Sequence, residues 1–161
     1  MRILVVSDTH GRTYSLDRVL ENEPSIDYFI HLGDICDTYL TTKNPIECPK
    51  AIIVGNNDFA GTYPRDMELE LAGKKIWLNH GHRYGIHYGT DYIKNAGRDM
   101  GIDIVMCGHT HVPLVEVDAD ITVINPGSLT YPRQENCLPS YIIMEINENN
   151  EVDYSIRYLD I

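Results

Sequence analysis

Apolar residues fall along this chain in short unbroken runs, each ended by a polar cluster. Ile3-Leu4-Val5-Val6 stops at Ser7-Asp8 and predicts a strand buried on both faces. Leu16, Val19 and Leu20 then recur at helical spacing, with Thr13 or Ser15 available as a cap. Two further strands are predicted over Asp27–Leu32, running into Gly33-Asp34, and over Ala51–Val54, stopping at Gly55-Asn56. This opening implies parallel strands joined by crossovers, whose ligands gather at the carboxyl edge of the sheet. The middle alternates instead: Met67–Leu71 and Lys75–Asn79 around Ala72-Gly73-Lys74 predict an antiparallel hairpin. A helix is expected over Thr90–Met100, with Tyr92, Ile93, Ala96 and Met100 on one face and Gly101 ending it. Ile104–Cys107 reads as another buried strand, and Val115–Val117 and Ile121–Ile124 flank the turn Asp118-Ala119-Asp120. Tyr141–Ile146 and Val152–Tyr158 form a closing hairpin around Asn149-Asn150. The sum is an α/β sandwich of two sheets with helices outside, whose strand order the pattern leaves open.

At 161 residues the chain fits one domain, residues 1–161, without internal repeat or linker. A net charge of −11 argues against duplex nucleic acid as a partner, since that requires a basic footprint. It leaves a small phosphate ester open, because bound divalent cations reverse the field locally. Cys36, Cys48, Cys107 and Cys137 form no CxxC pair, so a reducing compartment is the default. The short apolar start turns polar at Ser7, too early for a signal peptide or a membrane span, and a cytoplasmic protein is expected. Edge strands and 11 tyrosines leave room for a homodimer or higher homo-oligomer.

The chemistry is concentrated in five clusters: Asp8-Thr9-His10, Gly33-Asp34, Gly55-Asn56-Asn57-Asp58, His80-Gly81-His82 and Gly108-His109-Thr110-His111. Each follows an apolar run, so all can meet at one sheet edge. Alone, an Asp-x-His is an exposed Asp with a loop His, and Asn56-Asn57 is a turn. A Gly-His-Thr-His directly after a buried strand is more specific, because glycine frees the backbone for a tight turn. Together the clusters offer enough carboxylate, imidazole and amide groups for two metal ions, which suits attack of a metal-bridging hydroxide on a phosphate ester. His31 and His87 read as structural, as does Cys36, although it lies two positions after Asp34.

The ordered set DTH, GD, GNxD, HGH and GHTH resembles the calcineurin-like metallophosphoesterase superfamily, and its short form with Asn125-Pro126-Gly127-Ser128 is similar to the small bacterial and archaeal phosphodiesterase branch. The resemblance spans Ile3 to about Ser128. It implies a four-layer α/β/β/α sandwich of two mixed sheets. It implies further that Asp8, His10 and His111 bind one metal, that Asn56, His80 and His109 bind a second, and that Asp34 bridges both. Oxygen donors mixed with imidazoles favour transition metals, manganese first, then nickel, iron, zinc or cobalt. The sequence departs from the pattern at Asn57, where many members carry His and the small branch often carries Cys. An amide donates a hydrogen bond but supplies no proton near neutrality. Asp58 is expected to orient a ligating imidazole, His10 or His80, and His82 to touch the phosphate or replace the proton donor. A different class of function, a scaffold that kept the fold and lost catalysis, is the alternative. A Rossmann-type nucleotide site is excluded, since DTHG stands where GxGxxG would follow the first strand.

Overall fold

The computed structural model describes residues 1–160. Alternation along the first strand, β1 (Arg2–Val6), explains its continuous apolar run. Ile3 and Val5 face one layer of the core, and Leu4 and Val6 face another. The chain continues through α1 (Tyr14–Asn22), β2 (Tyr28–His31), β3 (Lys50–Ile52), β4 (Asp66–Leu71) and β5 (Lys74–Asn79). After β5 come two short 3₁₀ turns, then α2 (Asp91–Asp99), β6 (Ile104–Met106), β7 (Pro113–Val117), β8 (Thr122–Pro126), β9 (Ser140–Ile146) and β10 (Val152–Tyr158).

Two mixed five-stranded sheets result, ordered β10-β9-β1-β2-β3 and β4-β5-β6-β8-β7. In the first, β1, β2 and β3 are parallel and β9–β10 pair antiparallel at one side. In the second, β5, β6 and β8 are parallel, with β4 and β7 antiparallel at the two edges. The sheets pack face to face through Ile30, Leu32, Ile53, Leu78, Met106, Ile124 and Met144. α1 covers the outer face of the first sheet through Leu16 and Val19, and α2 covers the second through Ile93. This is the expected α/β/β/α order of layers. The parallel strands of both sheets deliver their carboxyl ends to one side, which is what brings five separated clusters together.

Three local details differ from the sequence reading. Thr13 occupies the cap position of α1, yet its hydroxyl makes no capping hydrogen bond; its carbonyl accepts from Asp17 N instead. The face of α2 is rotated: Ile93, Lys94 and Gly97 are buried, while Tyr92 and Met100 are exposed. Gly97 is the reason, because a Cβ there would sit 2.7 Å from Ile121 Cδ1 and 3.0 Å from Val105 Cγ2, so this bare side lies closest to the sheet. Lys94 buries its stem on the way to Glu116 and Asp118, 2.6 and 2.9 Å from its Nζ. The third difference is the pair of 3₁₀ turns, His82–Tyr84 and Ile86–Tyr88, in a stretch that the periodicity left without an element.

Glu23, buried at the end of α1, accepts from the guanidinium groups of Arg2 and Arg157 and from the Tyr141 hydroxyl at 2.9 Å, tying the helix to β1, β9 and β10. Burial raises its carboxyl, but these three donors outweigh it and hold the pKa below the ordinary 4.5. A carboxylate depressed in the folded state contributes stability that is complete above 4.5 and lost as pH falls through the lowered value. Glu23→Gln is therefore expected to cost roughly 1–3 kcal/mol at neutral pH. It should also flatten the acid limb of a urea-unfolding series; a variant whose midpoint tracked the parent at every pH would refute this role.

Candidate metal centre

The strand ends do not simply run on into the site. Asp8, His10, Asp34, His109 and His111 all have positive φ, between 45° and 69°, as does Cys36 at 58°. Left-handed backbone is costly for residues with a Cβ, about 1–2 kcal/mol each, and persists only where neighbours hold it. Here the holding bonds run between loops. Asp8 N donates to Gly33 O, His10 N to Asp34 O and Gly11 N to Ile35 O, so the first and second loops form a ladder of their own. Asp8 and His10 reach one point because the chain coils there rather than because they alternate on a strand.

Asp8, His10, Asp34 and His111 each offer a ligand atom within 4.8 Å of the others, a cluster able to hold a metal ion. Asp8 Oδ1 lies 3.0 Å from His111 Nε2 and 3.6 Å from His10 Nε2. The two Nε2 atoms are 3.2 Å apart, and His10 Nε2 is 3.7 Å from Asp34 Oδ2. In every ring the other nitrogen is already engaged. His80 Nδ1 donates to Leu32 O at 2.6 Å, His111 Nδ1 donates to Tyr131 O at 2.7 Å, and His10 Nδ1 contacts Cys36 Sγ at 3.4 Å. A carbonyl only accepts, so these partners place the proton on Nδ1 of His80 and His111 and leave Nε2 with a free lone pair. Asp8 Oδ1 and His80 Nε2 are buried without a hydrogen-bond partner among the described residues. Buried polar atoms without partners are rare and point to an ion as the missing one.

His80 extends the centre. Its Nε2 is 3.5 Å from Asp34 Oδ2 and 4.0 Å from Asp8 Oδ1. His109 donates its backbone N–H to Asp8 Oδ2 at 3.1 Å, and its ring centroid lies 5.3 Å from that of His80. Asn56 lines an adjoining cavity with His82. Asn57 is the amide on Asp34: its backbone N–H donates to Oδ1 at 2.9 Å and its Nδ2 to Oδ2 at 2.7 Å. Asp58 touches no imidazole. Its two oxygens accept from Cys36 N and Gly55 N at 2.6 and 2.7 Å, so a carboxylate expected to orient a ring instead pins the second and third loops together. His82 is exposed, with its ring 5.5 Å from that of His80.

Charge is compressed here. Burial works against the ionised form of Asp8, but His10, His111 and His80 more than offset it and hold its carboxyl well below the usual range. Asp34 is likewise raised by burial and lowered further by His80 and Asn57, to about 2. Burial disfavours protonated His80, yet Asp34 and Asp8 raise its pKa above 6.5. His109 goes the other way, to about 4, through burial and the neighbouring rings of His80 and His87.

Two residues read as structural from the sequence belong to the surroundings of the centre. Cys36 packs on His10, with its thiol pushed to about 11 by burial and the nearby carboxylates. His87, exposed, sets its ring 4.6 Å from that of His109. His31 remains structural: fully buried, it contacts Thr9 Oγ1 through Nε2 and accepts from Gly33 N through Nδ1. The Asn125–Ser128 turn does more than approach the site. Asn125 Nδ2 donates to Gly108 O, Ser128 Oγ to Asp8 O, and Thr130 Oγ1 to Thr9 O, bracing the loops that carry Asp8 and His109. A buried Asn inside the apolar run of β8 was the signal for it.

The sequence profile of the calcineurin-like phosphoesterase superfamily domain matches residues 1–149. A probable metallophosphoesterase of Bacillus subtilis, YsnB, is 33% identical over 161 residues, covering 99% of this chain and 91% of that protein. The phosphodiesterase YfcE of Escherichia coli is 27% identical, covering 84% of this chain and 83% of its own length. Among solved structures, Vps29 of Cryptosporidium parvum shares the fold with a TM-score of 0.73 at 19% identity, over 99% of this chain and 98% of that one.

Gly55 and Gly108 let the carboxylates sit where they do. A Cβ on Gly55 would lie 2.1 Å from Asp34 Oδ1, and one on Gly108 would lie 2.2 Å from Ser7 Oγ and 2.9 Å from Asp8 Oδ2. Gly108→Ala should displace Asp8 and weaken binding of a divalent metal ion at this cluster by at least about 10-fold, as losses around ligands generally do. Equilibrium dialysis reads this directly, and an affinity equal to that of the parent would contradict the packing argument.

Proposed function

This chain belongs to the calcineurin-like phosphoesterase superfamily, and on that premise we propose that it is a single-domain phosphodiesterase working through a pair of divalent transition-metal ions. One observation carries the reading: Asp8 Oδ1, two imidazole nitrogens and Asp34 Oδ2 converge on a point where Asp8 Oδ1 has no hydrogen-bond partner. Asp8, His10 and His111 would hold one cation, Asn56, His80 and His109 the other, and Asp34 would be shared between them. The donor set suits manganese first, with nickel, iron, zinc or cobalt as competent substitutes. Bound there, the cations would supply Lewis acidity toward the phosphoryl oxygens and deprotonated water at neutral pH.

The protein's own groups set the rest. Leu32 O and Tyr131 O keep His80 and His111 in the tautomer that presents Nε2. Asn57 Nδ2 holds Asp34 Oδ2 through a 2.7 Å hydrogen bond and restricts the carboxylate's rotation. With an amide at position 57, that position has no proton to give a departing alkoxide. His82, exposed with its ring 5.5 Å from that of His80, would be an imidazole on the rim able to contact the phosphate. Substrates are expected to be small phosphate diesters with stable leaving groups. The small-branch relative named a phosphodiesterase supports the diester assignment. The family fold also occurs in Vps29, so a scaffold without catalysis is the second reading; the intact set of donors favours the enzyme.

Metal analysis and kinetics together separate the two readings. Manganese-loaded protein should retain two equivalents and hydrolyse a bis(nitrophenyl) phosphate, and Asp34→Asn should lose at least about 100-fold in turnover while remaining folded. Protein that retains no transition metal and hydrolyses no ester would leave the scaffold reading, and an Asp34→Asn variant with full activity would refute the shared role of Asp34. Alkyl esters should lag behind matched nitrophenyl esters by the roughly 10²–10⁴-fold that a positioned general acid contributes; equal rates would show that another group supplies the proton.

A further inference from the structure

The cavity beside the centre carries charge that hydrolysis of a simple ester does not call for. It measures about 290 Å³ and is lined by Gly55, Asn56, Asp58, Arg65, His82 and Arg83, among others. His82 connects it to the centre, since its ring lies 5.5 Å from that of His80 and 5.9 Å from that of His109. Two arginines on a single small cavity stand out in a chain with only 13 basic residues against 24 acidic ones. A generally basic surface is not their explanation.

Among the described residues the carboxylates nearby leave one of the two, Arg65, without an ion pair. Asp58, which lines the same cavity, has both oxygens taken by the backbone N–H groups of Cys36 and Gly55. Asp66 pairs with Arg83 and fixes the direction of that guanidinium. Arg65 is exposed and makes neither an ion pair nor a side-chain hydrogen bond among the described residues. One oriented and one uncommitted guanidinium therefore face a pocket large enough for a tetrahedral oxyanion. Guanidinium forks match phosphate oxygens two at a time, which suits them to read a second phosphate.

We propose that this cavity is a subsite for a second anionic group, so that the substrate is a phosphodiester carrying a further phosphate about one sugar unit from the scissile one. The proposal rests on the phosphodiesterase reading for the position of the scissile group, and Arg65 is its main anchor. Arg83, held by Asp66, supports it.

Two thymidine substrates with the same leaving group test this: the 5′-(p-nitrophenyl phosphate) ester with and without a 3′-phosphate. On manganese-loaded protein, kcat/KM should favour the 3′-phosphorylated ester by about 10-fold, and Arg65→Gln should bring that ratio to about 1. A ratio near 1 in the parent, or an undiminished ratio in Arg65→Gln, would overturn the subsite. Calorimetric binding of thymidine 3′,5′-bisphosphate against the 5′-monophosphate provides a readout independent of turnover. A preference of about 10-fold that Arg65→Gln abolishes supports the subsite even if neither ester is hydrolysed, in which case the phosphodiesterase reading alone fails. Equal affinity for the two nucleotides rejects the subsite whatever the catalytic result.

Discussion

A carboxylate removed from water must find positive charge or hydrogen-bond donors, and Asp8 is the place where this chain meets that demand. It is fully buried at the end of β1, and its Oδ2 is satisfied by the N–H of His109. Its Oδ1 faces the Nε2 atoms of His111 and His10 at 3.0 and 3.6 Å. The histidines in turn are fixed by backbone carbonyls of two other loops, at Leu32 and Tyr131. The left-handed residues, the close approach of Gly108 and the bracing by Ser128 follow from holding one ionised group in a dry place. Each would be a defect in isolation. Together they leave a set of lone pairs aimed at one another, an arrangement able to hold a cation among them.

Much of this was legible in the sequence, and the parts that were not have a common cause. Apolar runs such as Ile3–Val6 and Ile104–Cys107 were readable because a strand buried on both faces tolerates no polar interruption. The clusters that follow them were readable because no core requires Asp, His and Gly in that order. Strand order was not, since hydrophobic pattern records burial but not neighbours. The face of α2 was misread because Gly97 counts as neither apolar nor polar, yet its missing side chain decides which side approaches Val105 and Ile121. Asp58 was misassigned for a related reason: spacing tells which loop a carboxylate sits on, while its partners, the N–H groups of Cys36 and Gly55, depend on backbone geometry. His87 was read as structural because the 3₁₀ turn that carries it, Ile86–Tyr88, has no periodicity to place it beside His109.

The division of labour between sheets and loops explains how one fold serves unrelated ends. The strands of both sheets are committed to packing, and almost every polar contact that matters lies beyond their carboxyl ends. Vps29 shares the layers at 19% identity, which is a statement about the packed interior alone. Function is carried by the loops, and in this chain the loops bring Asp8, His10, Asp34 and His111 together.

In the cluster, Asp8, His10 and Asp34 follow strands of one sheet and His111 follows a strand of the other, so the centre straddles the seam of the sandwich. An ion seated there acts as a clasp across the two halves, and whatever binds the folded chain alone shifts its unfolding equilibrium by mass action. The folded chain's resistance to proteolysis would then rise and fall with the concentration of any cation that fills the centre.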